Sequence, residues 1–192
     1  MNIHDLLTQN RSYRRYRADE PLNPRTLVEL VELARLCPSA ANRQPLKFMI
    51  VCEPENNERL FSHLRWAAAL KGWPGPAESE RPTGYVVILG DTRITEQYTV
   101  DVGIAAQSIL LGAVERGLGG CMIGSIDRDA LRRDFHVPEQ YAICLVLALG
   151  VPDETIVLEN AKGPDDIVYW RDEQGVHHVP KRTMNELLVR FD

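Results

Sequence analysis

One apolar stretch in the middle of the chain limits the possible folds more than any other feature. From Glu96 to Arg116, apolar side chains occupy nearly all sides of a potential helix, as in the segment VGIAAQSILLGAV. Gly117 can close that helix in the left-handed conformation. Because a helix without a polar face has to be buried, we predict a central helix with the other elements packed around it.

Short runs of β-branched and aromatic residues, bounded by turn-forming residues, predict strands before and after this helix. They are Leu46–Cys52, Tyr85–Gly90, Gly120–Gly124, Ala142–Gly150 and a weaker one near Val168–Arg171. Capping residues and 3.6-residue periodicity predict further helices. These run from Asn2 to near Asn10, from Arg25 to Cys37 after Asn23 and Pro24, and from Asp127 to Phe135, with an amphipathic tail from Met184 to Arg190. Strands separated by helices indicate an α/β or α+β layered domain, and the pattern alone does not choose between the two.

Length and charge exclude several classes of protein. The 192 residues correspond to about one domain, and 22 basic against 27 acidic residues give a net charge of −5. A mildly acidic protein has little general affinity for nucleic acid or anionic membranes. No apolar run approaches the roughly 20 residues that span a bilayer, and the first residues contain no long apolar leader. We therefore expect a cytoplasmic protein.

Cysteine and histidine spacing indicates neither a disulfide framework nor a metal site. The four cysteines are far apart, with no CxxC pair and no histidine at ligand spacing. We expect them to be reduced packing residues. His177 and His178 are adjacent, so in an extended chain they would point to opposite sides and could not bind one metal ion together.

Four arginines lie within seven residues near the N terminus of this acidic protein. They are Arg11, Arg14, Arg15 and Arg17, and Ser12 between them adds a hydroxyl donor. Guanidinium groups bind anionic oxygens through a planar fork, so such a cluster suits a phosphate. The alternative is a solvated run of charge at the end of a helix.

Two other segments have the composition of a site for a flat ligand. In Cys37–Pro45, Asn42 and Gln44 carry both donors and acceptors, as the edge of a heterocycle requires, although an ordinary turn is the alternative. In Gly117–Ser125, glycines allow the backbone to approach a ligand closely. It is not the dinucleotide fingerprint, because Met122 stands where GxGxxG needs its third glycine. The chain also lacks the GxxxxGK[ST], HExxH and GxSxG motifs.

The segment Gly72–Gly84, GWPGPAESERPTG, is rich in glycine and proline. This composition predicts no regular structure. Because the segment is longer than most connections, it is either a lid over a site or a plain surface excursion.

Taken together, four segments resemble the FMN-dependent nitroreductase family in the same order along the chain. They are RSYRRY, PSAANRQP, DVGIAAQSILLGAVERGLGG leading to MIGSI, and VPKRTMNEL. The resemblance implies an α+β three-layer sandwich with a central, mostly antiparallel sheet flanked by helices. It also implies an intertwined homodimer with FMN sites at the interface. Residues 1–192 would form a single FMN-binding domain, with 176–192 as a C-terminal arm.

The resemblance assigns thirteen residues to FMN, in four groups. They are Arg11, Ser12 and Arg14 at the phosphate and the pyrimidine edge; Pro38, Ser39, Ala40 and Asn42, laid against the isoalloxazine by the second subunit; Met122, Ile123, Gly124 and Ser125 over the other part of the ring; and Lys181 with Arg182, returning to the phosphate. No side chain is expected to be catalytic, because flavin N5 carries the chemistry. Asn10, Leu46 and Gly124 depart from residues common in the family, which leaves the substrate range open.

The activity that the resemblance implies is an NAD(P)H oxidoreductase. Hydride would pass from NADH or NADPH through flavin N5 to a small oxidised acceptor, such as a nitroaromatic, a quinone or a flavin, by a ping-pong mechanism. Two alternatives are a non-catalytic protein that stores or senses FMN and a flavin-dependent reductive dehalogenase. A third is an α/β domain without flavin.

Overall fold

The computed structural model describes residues 1–189, which form two compact units. The first consists of Met1–Trp66 and Pro76–Asp153, and the second of Ala67–Gly75 and the residues from Glu154 onward. Arg190, the last residue of the predicted tail, and residues 191 and 192 of the predicted arm lie outside the described residues. The single domain predicted over 1–192 stays a prediction.

The first unit contains five helices and four strands among its described residues, in this order: α1 (Ile3–Gln9), α2 (Pro24–Arg35), β1 (Leu46–Val51), α3 (Pro54–Ser62), β2 (Gly84–Asp91), α4 (Thr99–Glu115), β3 (Gly119–Ile123), α5 (Arg128–Asp134) and β4 (Tyr141–Gly150). The predicted capping residues begin their helices. The side chains of Asn2, Asn23 and Asp127 each accept a bond from a backbone N–H two or three residues ahead, and Pro24 opens α2. Helix α3 has no counterpart in the sequence prediction, because Leu60 and Phe61 are its only large apolar residues.

The four strands form one sheet in the order β1-β2-β4-β3, and every neighbouring pair is antiparallel. All eight residues of β2 are buried. The predicted α+β fold with an antiparallel sheet and flanking helices is confirmed. The predicted homodimer is not tested by a single chain.

Both faces of the sheet are covered. Because side chains alternate along a strand, Val86 and Ile88 share one face with Leu147 and Leu149, and these four belong to a core that also includes residues of α2 and α4. Hydrogen bonds connect helices α3 and α5 to the sheet. Asn57 of α3 donates to the carbonyl of Thr83 just before β2, and Arg128 of α5 donates to the carbonyl of Ile143 in β4.

Helix α4 is the predicted central helix, with a later start. It begins at Thr99 rather than Glu96, because the preceding residues form turns: the Ile94 and Thr95 amides donate to the carbonyl of Asp91, and the Gln97 amide donates to the Thr95 hydroxyl. Gly117 follows its end with φ of +73°, as predicted. No helix within residues 1–189 is long and apolar enough to span a membrane.

The second unit contains β5 (Ile156–Asn160), β6 (Trp170–Arg171), β7 (His177–Lys181) and the short helix α6 (Met184–Leu187). Strand β7 lies between the other two, parallel to β5 and antiparallel to β6. The sequence pattern predicts only the strand near β6. It is misleading at β7, because Pro180 argues against a central strand and is nevertheless accommodated opposite Glu159.

His178 links the three strands of this second sheet. Its Nδ1 lies 2.5 Å from Glu159 Oε1, its Nε2 lies 3.2 Å from Asp172 Oδ2, and its ring stacks on Trp170 at 4.1 Å. The pKa of His178 is raised, chiefly by the hydrogen bond to Glu159 and secondly by the one to Asp172. His177 points the other way and is buried, as the predicted alternation requires.

The Gly72–Gly84 segment is divided between the two units. Within the second unit, the Arg171 guanidinium lies 4.9 Å from the centre of the Trp73 ring. Within the first, Glu78–Glu80 forms a 3-10 turn, so the prediction of no regular structure is wrong there. The turn is held by backbone pairing, since the Tyr16 amide donates to the Glu80 carbonyl. A lid over a site and a plain surface excursion both stay predictions for this segment.

Candidate functional site

The N-terminal arginine segment lies beside β3, the edge strand of the main sheet. Ser12 forms a parallel bridge with Gly120, and the Tyr13 amide donates to the Gly120 carbonyl at 3.1 Å. A Cβ at Gly119 would lie 2.5 Å from the Tyr13 ring, so this approach requires glycine. The structure thereby brings together two of the four groups predicted to bind FMN, the arginine segment and the strand that continues through Met122.

Two of the four arginines have carboxylate partners. Arg15 faces Glu80 at 3.4 Å, and Arg17 pairs with Glu20 at 2.8 Å. Their charges are thus compensated by the protein's own carboxylates, as expected for a surface charge run.

Arg11 differs from Arg15 and Arg17 in its surroundings. Its Nη2 donates to the Leu7 carbonyl at 2.6 Å, while its buried Nε has no hydrogen-bond partner among the described residues. Within residues 1–189, no carboxylate pairs with it. Partial burial lowers the pKa of the Arg11 guanidinium. A half-buried cation with an unused donor could hold an anionic oxygen. Nearby, Arg14 donates to the Ser12 carbonyl at 3.2 Å.

The predicted ring-facing turn is held by the first turn of α4. Pro38 leads into it, and a 3-10 turn covers Ala40–Asn42. The carboxylate of Asp101 accepts the Ser39 hydroxyl at 2.5 Å and the Ala40 amide at 3.2 Å. Sequence reasoning does not single out Asp101. The available signal is a carboxylate directly before the apolar run VGIAAQSILLGAV.

Asn42 is oriented by Gln44. Gln44 Nε2 donates to both the main-chain carbonyl and the Oδ1 of Asn42, at 3.1 and 3.0 Å. With Oδ1 used as an acceptor, the Nδ2 group of the exposed Asn42 side chain remains as a donor. A carbonyl oxygen at the edge of a heterocycle is a suitable partner for it.

The end of β3 offers mostly backbone and open space. Met122 is 38% exposed, whereas the side chain of Ile123 is buried, so Ile123 can reach a ligand only through its backbone. A Cβ at Gly124 would have no atom within 4 Å. The Gly124 carbonyl accepts from Arg128 at 3.2 Å, and the Ser125 carbonyl accepts from the Arg65 amide at 3.0 Å.

Two clefts border the Pro38–Gln44 turn. One of about 410 Å³ lies among α2, β1 and α4, with Val31, Phe48 and Ala105 in its wall. The other, of about 460 Å³, is lined by Ala41, Val100 and neighbouring residues. Asp101 lines both clefts.

The predicted C-terminal basic pair belongs to the second unit. Lys181 ends β7, and its carbonyl accepts from the Ala161 amide at 2.8 Å. Arg182 faces Glu186 at 3.5 Å. Their assignment to the phosphate stays a prediction.

Metal and disulfide chemistry have no support in the described part of the chain. All four cysteines are free; Cys121 is buried and the other three are partly buried. Over residues 1–189, no group of three or more histidine, cysteine, aspartate or glutamate side chains could hold a metal ion.

Comparison with known proteins places the chain in an oxidoreductase family. The sequence matches the model of the nitroreductase family over residues 7–151, and the chain belongs to that family. A protein of Methanothermobacter thermautotrophicus (strain Delta H), provisionally named NADH dehydrogenase/NAD(P)H nitroreductase, is 29% identical over 174 residues, which cover 87% of this chain and 86% of the relative. The resemblance stated from the sequence is confirmed.

Solved structures agree on the fold. A nitroreductase family protein from Streptococcus pneumoniae TIGR4 superposes with a TM-score of 0.69 at 18% identity, covering 88% of this chain and all of the other. An FMN-dependent nitroreductase from Clostridium difficile R20291 superposes with a TM-score of 0.65 at 23% identity, covering 85% of this chain and 94% of the other.

Proposed function

We propose that this protein is an FMN-dependent oxidoreductase that takes hydride from NADH or NADPH and passes it to a small oxidised acceptor, such as a nitroaromatic, a quinone or a flavin. The observation that carries the proposal is Arg11, a half-buried cation with an unused Nε donor beside the glycine-rich strand β3. Family membership and the structural neighbour described as FMN-dependent support the same cofactor.

The residues of the first unit fit the phosphate of FMN. A phosphate oxygen would give the buried Arg11 Nε the acceptor that it lacks, and Ser12 and Arg14 stand next to it in sequence. Arg15 and Arg17 are assigned no part, because their carboxylate partners already compensate them.

The residues proposed for the ring also suit a planar group. Gly124 leaves open space where a side chain would stand, and Met122 and Ser125 flank it. The turn Pro38–Asn42 supplies small residues and the Asn42 donor, and we assign it to the ring bound by a second subunit.

Bound FMN would supply hydride transfer through its N5 atom, from the nicotinamide and then to the acceptor, in a ping-pong sequence. The chain's own residues bind and orient the cofactor, and none is proposed to move a proton. An apolar surface also supports the proposal of a homodimer. On α4, Val100, Ile104 and Leu111 recur at spacings of four and seven residues, and Val100 is 72% exposed.

Release of the cofactor tests the proposal directly. Purified protein should be yellow, and denaturation should release FMN at about one per chain, identified by chromatography. Recovery of FAD, or no flavin after reconstitution with FMN, would exclude the proposal. Steady oxidation of NADH or NADPH with a quinone then separates an enzyme from a protein that only stores or senses FMN.

A further inference from the structure

Asp101 is a buried acid whose partners all belong to one loop. It is 5% exposed, and within residues 1–189 its carboxylate has no cationic partner. Its two bonds, from the Ser39 hydroxyl and the Ala40 amide, both reach the Pro38–Gln44 turn. Asp91, also buried, differs in this respect, because it pairs with Arg93 at 2.9 Å. A buried carboxylate whose hydrogen bonds all come from one turn restrains the conformation of that turn.

The Ser39 hydroxyl extends this hold to the far end of the turn. It donates its single proton to Asp101 and accepts the Gln44 amide at 2.9 Å. Both ends of the turn are therefore connected to one carboxylate. While these bonds persist, Ser39 has no proton left to donate to a ligand.

The backbone that these bonds hold is strained. Ala41, Asn42 and Gln44 have φ values of +50°, +52° and +50°. Residues with a Cβ rarely adopt the left-handed region of positive φ, and they keep this backbone conformation only where the surrounding structure holds it. Because Gln44 also orients Asn42, the state of the whole turn decides where the Asn42 donor lies.

We propose that Asp101 is a positioning residue for the flavin site, and that its carboxylate, acting through Ser39, holds the strained turn that presents Asn42 to the ring. The inference rests on the proposed function. In this arrangement Ser39 is part of the scaffold of the turn, because its hydroxyl proton is donated to Asp101.

The test compares FMN binding to wild-type protein with binding to Asp101→Ala and Ser39→Ala. Each variant should weaken FMN binding about tenfold or more and shift the visible flavin spectrum, because a bond to a charged group is lost. The double variant should be no weaker than either single one, since both act through one connection. Ser39→Thr keeps the hydroxyl and should restore binding.

Asp91→Asn is the matched control. It also alters a buried aspartate, so it should lower the melting temperature while FMN affinity stays within about threefold of wild type. Asp101→Asn keeps the shape of the side chain and one acceptor, and it serves if the alanine variant does not fold. Wild-type affinity and spectrum in Asp101→Ala or Asp101→Asn, or additive losses in the double variant, would overturn the inference.

Hydrogen exchange separates this inference from the proposed function. In protein without cofactor, the Ala40 and Gln44 amides should exchange faster in Asp101→Ala than in wild type. If wild-type protein binds no FMN, the proposed function fails while this exchange result still decides whether Asp101 holds the turn. Unchanged exchange at both amides would refute the positioning role.

Discussion

Replacing Arg11 is the most direct test of the phosphate site. Arg11→Ala removes a guanidinium that donates once to the Leu7 carbonyl and leaves a buried Nε unsatisfied. The lost hydrogen bond from the charged guanidinium to the Leu7 carbonyl, ~1.5–3 kcal/mol, is opposed by the gain from no longer burying an unpaired cation, so the variant should fold with at most a small loss of stability. A charge-assisted bond to phosphate contributes ~1.5–3 kcal/mol, which corresponds to a loss of FMN affinity of about 10- to 150-fold.

The assay is an equilibrium titration of cofactor-free protein with FMN, followed by the quenching of flavin fluorescence, and repeated with riboflavin. Riboflavin lacks the phosphate, so its affinity should change little. Arg11→Lys keeps the charge without the planar fork, so its FMN affinity should lie between those of wild type and Arg11→Ala. Arg17→Ala is the matched control, because Arg17 is exposed and already paired with Glu20. Equal losses for FMN and riboflavin, or unchanged FMN binding by Arg11→Ala, would refute the reasoning.

Three other predictions concern packing, pH and assembly. Gly120→Ala would place a Cβ 2.5 Å from Leu110 and 2.8 Å from a backbone oxygen. It should lower the free energy of unfolding, measured by chemical denaturation, by ~1–3 kcal/mol. Gly163→Ala is the control, because its Cβ would meet no atom within 4 Å and its stability should be close to that of wild type. The pKa of His178 is raised in the folded state, so its contribution to stability is present below the ordinary histidine pKa and is lost as pH rises through the folded value. Melting temperatures of wild type and His178→Gln should therefore converge toward alkaline pH, and a constant gap from pH 5 to 9 would contradict this. Truncation after Thr183 keeps β7 but removes an exposed apolar tail, so sedimentation should show a monomer; a truncated chain that remains dimeric would show that the tail is not needed for assembly.

Local signals accounted for the elements that were predicted well. Asn2, Asn23 and Asp127 cap helices at the predicted positions, because a cap bonds to amides only two or three residues away. The apolar run that ends at Gly117 is the central helix, since a helix without a polar face has to be buried. The resemblance then selected an α+β sandwich, a choice that the pattern of strands and helices left open.

The second unit shows where local signals fail. Strand β7 contains Pro180 and is held by pairing with β5, about twenty residues earlier in the chain. His177 and His178 are correctly expected on opposite sides, but the sequence does not indicate that His178 meets Glu159 and Asp172. These contacts depend on which strands become neighbours, and no short window of sequence contains that information.

The sequence by itself determined the family, the central helix and the thirteen residues proposed to hold FMN. Only the tertiary structure showed that Arg15 faces Glu80, a carboxylate far away in the sequence, and that Arg11 keeps a buried Nε without a hydrogen-bond partner among the described residues. The same is true of Asp101, which lies about sixty residues from the turn that it holds. Charge compensation and burial arise from contacts between distant segments, so they are properties of the fold rather than of any motif.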